Sequence, residues 1–295
     1  MAIVTMAWSL QTQAKPSLTQ LVSQKQWIHG SGDCVQNQDP AIDVLKLDES
    51  SYILRQNKCL HYEAPFIYLF MGQHTAFLQD TGATADSNKF PLYAKVSALM
   101  AQWQREQKIE QLELLVTHSH SHSDHKAADE QFRGKPNVTL VEPELDSVKS
   151  FFNFEPWPIA NKTIDLGGRK LTILPLPGHK EDALAVYDEQ TKVILTGDTF
   201  YPGRLYVKND NAFRASIKRL HNFAKQHQIN TFLGTHIEMT NEPGVDYPIG
   251  STYQPNESNL VLNIGDLAEL EQALDAQPSR LKKQVLNKVI IYPVN

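Results

Sequence analysis

The chain of 295 residues is 41% hydrophobic and 21% charged, enough apolar surface for a large buried core, which excludes intrinsic disorder, collagen and coiled coil. Its 28 Lys and Arg against 33 Asp and Glu leave a formal charge of -5, and no stretch is rich in Lys and Arg, so the electrostatic footprint of a nucleic-acid binder is missing. No apolar run approaches the roughly 20 residues that a bilayer-spanning helix needs.

Residues 1–20 read in two ways. Met1 to Ala14 carry no charge, are apolar up to Leu10 and end in Thr12-Gln13-Ala14, which fits the back half of a signal peptide; the basic start is missing, so a flexible N-terminus is the other reading. Residues 21–295 read as one domain. Cys34 and Cys59 fit either one disulfide, favoured in an oxidising compartment, or two buried thiols. A periplasmic or secreted location therefore stands beside a cytoplasmic one.

Phe66 to Gly72 and Thr75 to Asp80 are apolar runs around a Gly-containing turn, the pattern of a hairpin closed by Asp80-Thr81-Gly82. From Asn88, read as an N-cap, Leu92, Val96, Leu99, Met100 and Trp103 recur at helical spacing. Leu112 to Thr117 reads as a strand running into a His-rich segment, after which Lys126 to Phe132 read as helical. Leu171 to Leu174, Ala183 to Tyr187 and Lys192 to Leu195 predict an antiparallel meander. Phe213, Ile217, Leu220 and Phe223 mark a helix, followed by a strand at Thr231 to Gly234, a helix near Asp266 to Leu274 and a strand near Val289 to Tyr292.

Four of the 11 histidines fall in one window, His118-Ser119-His120-Ser121-His122-Ser123-Asp124-His125. Imidazole nitrogens and carboxylate oxygens are the donors zinc and iron accept, and residues two apart on an extended segment point the same way, so His120 and His122 can converge on one ion. Asp124 and His125 then turn toward a second position. A merely solvated loop would be rich in Gly, Ser, Asn and Asp rather than His. Pro177-Gly178-His179, Thr196-Gly197-Asp198-Thr199 and Gly234-Thr235-His236 follow at the ends of predicted strands, where loops collect functional groups.

In this order, Asp-Thr-Gly at 80–82, His-x-His-x-Asp-His at 120–125, His179, Asp198 and His236 resemble the motifs of the metallo-β-lactamase superfamily, over most of the chain from about Phe66 to His236. The resemblance implies an α+β fold, the αββα sandwich of two mixed β-sheets flanked by helices. It implies that His120, His122 and His179 hold a first metal, that Asp124, His125 and His236 hold a second, and that Asp198 bridges them. Asp80 would order the His segment without being a ligand. His118 falls outside the pattern and reads as a solvated loop residue, its other readings being a cap on the strand or a support behind the ligands.

Two dications at such a site generate hydroxide near neutral pH and polarise a carbonyl. The expected activity is therefore a dinuclear hydrolase with two zinc ions, iron or manganese being compatible with the same donors, in which Asp124 orients the attacking hydroxide. Asp198 at the bridging position resembles the glyoxalase II, lactonase and nuclease branches more than true β-lactamases, leaving weak β-lactamase activity as a minor alternative. Phe200 to Tyr206 replace the Cys-Gly-Arg element of glyoxalase II, and no basic cluster stands at the C-terminus, which argues against glutathione thioesters.

Tyr201, three residues after Asp198, resembles the tyrosine with which metal-dependent lactonases bind the substrate carbonyl; an aromatic wall is its other reading. Arg204 and Lys180 read as carboxylate binders or surface charges, and Trp157 as a cover over the site or a packing residue. The expected substrate is a small ester, lactone or thioester, with no nucleic acid and no integral membrane segment. A mononuclear iron enzyme resembling the persulfide dioxygenases is the alternative, disfavoured because every ligand of the second metal is present.

Overall fold

A computed structural model describes residues 16–294; Met1 to Ala14 lie outside them. Helix α1 (Leu18–Gln24) begins within the stretch 1–20, started by a box in which the Ser17 hydroxyl accepts from the Gln20 N–H and the Gln20 side chain accepts from the Ser17 N–H. β1 (Ile42–Asp48), β2 (Ser51–Gln56), β3 (Phe66–Met71), β4 (Thr75–Gln79), α2 (Leu92–Gln107), β5 (Glu113–Thr117), α3 (Ser123–Lys126), a 3-10 turn at Asp129–Gln131, β6 (Val138–Leu140) and α4 (Leu145–Phe152) follow. The second half comprises β7 (Lys162–Asp165), β8 (Lys170–Pro175), β9 (Leu184–Asp188), β10 (Val193–Gly197), β11 (Arg204–Val207), α5 (Asp210–Gln226), β12 (Thr231–Gly234), β13 (Val261–Leu262), α6 (Ile264–Asp275), β14 (Gln284–Val285) and β15 (Ile290–Pro293).

One sheet runs β1-β2-β3-β4-β5-β6, antiparallel up to β4 and parallel from β4 to β6. The other runs β13-β12-β10-β9-β8-β7, with β10 and β12 parallel. These are the two mixed sheets expected, and a small third sheet, β11-β15-β14, is added to them.

The layering follows from strand periodicity. In β3, Phe66, Tyr68 and Phe70 face the second sheet, where they meet Leu171, Ile173, Val186 and Leu195, while Ile67, Leu69 and Met71 face α2 through Leu92, Val96, Met100 and Trp103. Apolar residues on both faces make β3 a continuous apolar run rather than an alternating one. On the far side, Leu174, Ile194 and Phe232 pack against Phe213, Ile217 and Leu220 of α5 and Leu267 and Leu270 of α6. Each such side chain contributes about 1.5–3 kcal/mol by leaving water. The result is helix, sheet, sheet, helix, the expected sandwich.

Local details differ from the sequence reading. The helix expected from Asn88 begins at Leu92, because Asp86 closes a turn whose N–H groups at Asn88, Lys89 and Phe90 it accepts, and Pro91 holds the cap. Residues 126–132 form only the end of α3 and the 3-10 turn. Cys34 and Cys59 form a disulfide, with Cα atoms 5.1 Å apart, so the free-thiol reading falls. Trp157 packs on Phe154, ring centroids 5.4 Å apart, at the edge of the inter-sheet core, which is the packing reading.

One buried cation ties the sheets together. Arg169, between β7 and β8, donates Nε and Nη2 to the two Asp188 oxygens at 3.0 and 2.7 Å, and reaches across to the Ser50 carbonyl at 3.0 Å and the Ser51 hydroxyl at 2.7 Å. Its guanidinium also lies 4.4 Å from the centroid of the Phe70 ring. Removing one partner strands a buried charge. Arg169→Met is therefore expected to lower the unfolding free energy by about 3–5 kcal/mol in urea titrations, and a loss under about 1 kcal/mol would show that Asp188 is accommodated without it.

Candidate metal centre

The His-rich segment leaves the end of β5, beside the end of β4, where Asp80 takes the left-handed conformation (φ 70°) that Asp tolerates. One Asp80 oxygen accepts the Ser119 N–H at 2.6 Å; the other accepts the Ser119 hydroxyl at 2.9 Å and the His125 Nδ1–H at 3.1 Å. Asp182 accepts the Ser121 N–H at 3.0 Å and its hydroxyl at 2.6 Å. Ser119 and Ser121 thus face buried carboxylates, and His120 and His122 are left to turn the other way.

Two glycines bring the remaining ligands close. A Cβ at Gly178 (φ 148°) would stand 2.5 Å from Phe213 Cα, so only glycine lets the His179 loop settle on α5. A Cβ at Gly197 (φ 52°) would stand 2.6 Å from Ser119 Cβ, so glycine lets Asp198 approach the His segment. Gly197 and Gly234 are paired in the parallel β10–β12 ladder, which carries Asp198 and His236 to the same edge.

The structure gathers all seven expected ligands. His120 Nε2, His122 Nδ1 and His179 Nε2 form a triangle with sides of 2.9, 3.0 and 3.2 Å. The His179 Nδ1–H donates to the Tyr206 carbonyl at 2.8 Å, so its Nε2 carries a lone pair and no proton. Zinc–nitrogen bonds of about 2.0–2.1 Å put neighbouring nitrogens roughly 3 Å apart, which this triangle matches. Asp124, His125 and His236 form a second set, with Asp124 Oδ2 3.3 Å from both His125 Nε2 and His236 Nε2. The His236 Nδ1–H donates to the Glu63 carbonyl at 3.0 Å.

Asp198 lies between the sets. One oxygen is 3.6 Å from His179 Nε2 and 3.8 Å from His120 Nε2; the other is 3.4 Å from His236 Nε2 and 3.6 Å from His125 Nε2. Among the described residues, His125 Nε2, His236 Nε2 and Asp198 Oδ1 are buried without a hydrogen-bond partner. Buried donor atoms in this state are costly unless something else completes them. A metal cation is what this donor set fits.

The family model of the metallo-beta-lactamase superfamily matches residues 63–248. The chain belongs to that superfamily. The acyl-coenzyme A thioesterase MBLAC2 of Homo sapiens is 24% identical over 170 residues, 47% of this chain and 59% of the thioesterase. A hydroxyacylglutathione hydrolase of Brucella abortus is 26% identical over 111 residues, 35% of this chain and 40% of the hydrolase. The chain thus spans about half the length of the curated relatives it matches. Among solved structures, a metallo-beta-lactamase from Pontibacter korlensis superposes with a TM-score of 0.50 at 18% identity, over 80% of this chain and 100% of that one. That likeness concerns the fold.

Within this superfamily site, electrostatics separate the two ligand sets. Burial holds His120 and His179 below the usual histidine range and His122 down to about 4, so the first set is a trio of neutral rings. In the second set burial is outweighed by carboxylates: Asp124, Asp198 and Asp80 raise His125, and Asp198 and Asp124 push His236 up to about 9. Conversely, these rings hold Asp124 and Asp198 well below the usual carboxylate range despite burial. In the metal-free chain the two carboxylates thus favour the charged form of His125 and His236.

The ligands open on a cavity of about 300 Å³ walled by Glu63, Tyr201, Tyr206, Lys208, Glu238 and Val294. Tyr201 is a wall residue in this arrangement. Its hydroxyl faces the Arg204 carbonyl and the Glu238 carboxylate, 3.1 Å away, and its ring meets His236 edge to face at 5.7 Å. Arg204 is buried, with Nη1 2.9 Å from Glu238 and Nε 2.8 Å from Asp246, so its guanidinium is already occupied and the carboxylate-binding and surface readings both give way to a structural one. Lys180 lines an adjoining groove that shares His179 and Lys208 with the cavity. His118, read as solvated, is buried, with Nε2 2.9 Å from Asp129 Oδ1 and Nδ1 3.2 Å from the Val141 carbonyl. Asp182 behind Ser121, the Glu63 carbonyl behind His236, and Glu238 between Tyr201 and Arg204 escaped the sequence reading because no spacing relates them to the residues they hold.

Metal ligation needs neutral imidazole, so ions entering the second set must displace protons. At pH 7.5, below the value of about 9 for His236, zinc uptake by the metal-free chain is expected to release at least about one proton from this set. Release should fade as pH rises through that value, and zinc affinity should drop as pH falls. Calorimetry in buffers of differing ionisation enthalpy measures this, and proton-free uptake at pH 7.5 would show that His125 and His236 are neutral beforehand.

Proposed function

We propose that the chain is a dinuclear, zinc-dependent hydrolase acting on the carbonyl of a small ester, lactone or thioester. The observation that supports it most is the position of Asp198, one oxygen toward each ligand set, on the wall of a cavity large enough for a small acyl group. Divalent ions in these sets supply water activation near neutral pH and polarisation of the carbonyl.

The chain's own residues do the rest. Asp124, with 18% of its side chain exposed, would orient the attacking water. The rings of Tyr201 and Tyr206 and the side chain of Val294 exclude bulk water from one flank. Lys208, exposed on the rim, offers a cation to an acidic substrate group. The thioesterase and hydroxyacylglutathione hydrolase named above support a thioester. The buried Arg204 speaks against glutathione in particular, because it stands in the element where glyoxalase II relatives have Cys-Gly-Arg and is turned toward Glu238, Asp246 and the Tyr247 carbonyl. The Cys34–Cys59 disulfide supports a periplasmic or extracellular setting.

The test begins with metal content on protein purified without added metal, then a panel of aryl esters, lactones, acyl-coenzyme A and acylglutathione. Two zinc ions per chain and turnover of at least one substrate class are expected. A single iron with oxygen consumption on persulfides would replace this reading with a dioxygenase. His122→Ala and Asp198→Ala are each expected to reduce turnover to background in a chain that still melts cooperatively; full turnover in either would refute the site.

Tyr201→Phe separates a wall from a donor. With its hydroxyl engaged by Arg204 and Glu238, loss of that group is expected to change kcat less than about tenfold. It should lower stability by about 1–3 kcal/mol, because a buried acceptor loses its partner. A larger fall in kcat at unchanged stability would return the phenol to the substrate carbonyl.

A further inference from the structure

His118 is absent from the ligand sets, yet it is enclosed and doubly bonded. Its Nδ1 faces the Val141 carbonyl at 3.2 Å and its Nε2 faces Asp129 Oδ1 at 2.9 Å. A carbonyl oxygen accepts and does not donate, so Nδ1 carries a hydrogen. The Asp129 carboxylate faces the other ring nitrogen. Through these two contacts His118 joins the end of β5 to the residue that follows β6 and to the 3-10 turn.

Asp129 makes a second attachment. The same oxygen accepts the Thr81 hydroxyl at 2.7 Å, and the Thr81 N–H donates to the His125 carbonyl at 2.7 Å. Thr81 belongs to the Asp-Thr-Gly stretch whose Asp80 holds Ser119. One buried carboxylate oxygen is thus linked to the residue two before His120, at the start of the ligand segment, and through Thr81 to His125 at its end.

We propose that the His118–Asp129 pair is a positioning latch that fixes both ends of the segment 120–125, so that its three histidines and Asp124 are held in ligating geometry before any ion arrives. His118 touches neither substrate nor metal in this role. It acts through the backbone, as Asp80 does through Ser119 and His125, and the two serve opposite sides of one segment. The inference rests on the reading of these residues as a metal centre, and its test separates the two.

Two near-isosteric substitutions divide the latch. His118→Gln can place an amide N–H where Nε2 stands and keep Asp129; His118→Asn can replace Nδ1 and keep only Val141. Zinc affinity is measured by competition with a chromophoric chelator, coordination by the visible spectrum of the cobalt-substituted chain, and folding by the melting temperature of the metal-free chain. His118→Ala is expected to weaken zinc binding by about 10–100-fold, the usual effect of removing a group that orients ligands. His118→Gln should recover most of that loss and the wild-type cobalt spectrum, while His118→Asn should not, at matched melting temperatures.

Wild-type affinity and spectrum in all three variants would overturn the latch. So would equal losses in Gln and Asn that merely follow the melting temperature, since packing alone predicts that pattern. If His118→Ala does not fold, the Gln and Asn pair decides. A wild-type chain that binds neither zinc nor cobalt would instead overturn the metal centre itself.

Discussion

Seven candidate ligand atoms have to be held within about 4 Å of their neighbours at one edge of the two sheets. Three imidazole nitrogens, one of them shown by its Tyr206 partner to be a bare lone pair, stand 2.9–3.2 Å apart. Beside them, two carboxylates and two further rings crowd together at 3.3–3.6 Å. In the first set lone pairs so placed repel, and rigid attachments behind the ligands hold them against that repulsion. Asp80 and Asp182 hold the serines, backbone carbonyls of Tyr206 and Glu63 hold the outer nitrogens of His179 and His236, and glycines let the loops close.

The sandwich is what makes such attachments available. β4, β5, β10 and β12 all end at one edge of the two sheets, and parallel pairing within β4–β5 and β10–β12 keeps neighbouring ends level. Apolar packing on both faces of β3, β9 and β10 leaves those strands little freedom to shift. The loops that follow inherit that rigidity, which lets a site built on loops be held as firmly as one built on helices.

The cluster of candidate ligands was legible because metal chemistry restricts residue type and spacing together: His120, His122, Asp124 and His125 lie in one window, His179 and Asp198 each follow a glycine near a strand end, and His236 stands two residues after one. The core strands were legible where periodicity is plain, as in β3 and α5. β2 was not, because Ser51, Arg55 and Gln56 are polar yet buried, and Arg55 is compensated by Glu257, 202 residues away. His118 misled for the same reason. A histidine among serines looks solvated until its carboxylate partner, eleven residues on, is folded against it. Asp182, Glu238 and Tyr206 act by contacts between distant segments, and no local pattern carries that information.

The family match begins at residue 63, but the strands ahead of it are structural members of the first sheet. β2 pairs with β3 along five residues, Ser50 and Ser51 receive Arg169, and Arg55 packs its guanidinium 4.8 Å from the Phe66 ring centroid. A fragment trimmed to the matched region would turn β3 from an interior strand into a bare edge, with a row of unpaired N–H and C=O groups along an aromatic-rich ribbon. Such a ribbon is a template for other chains. The N-terminal strands therefore act as a guard against intermolecular sheet growth, and boundaries drawn from sequence similarity alone would cut that guard away.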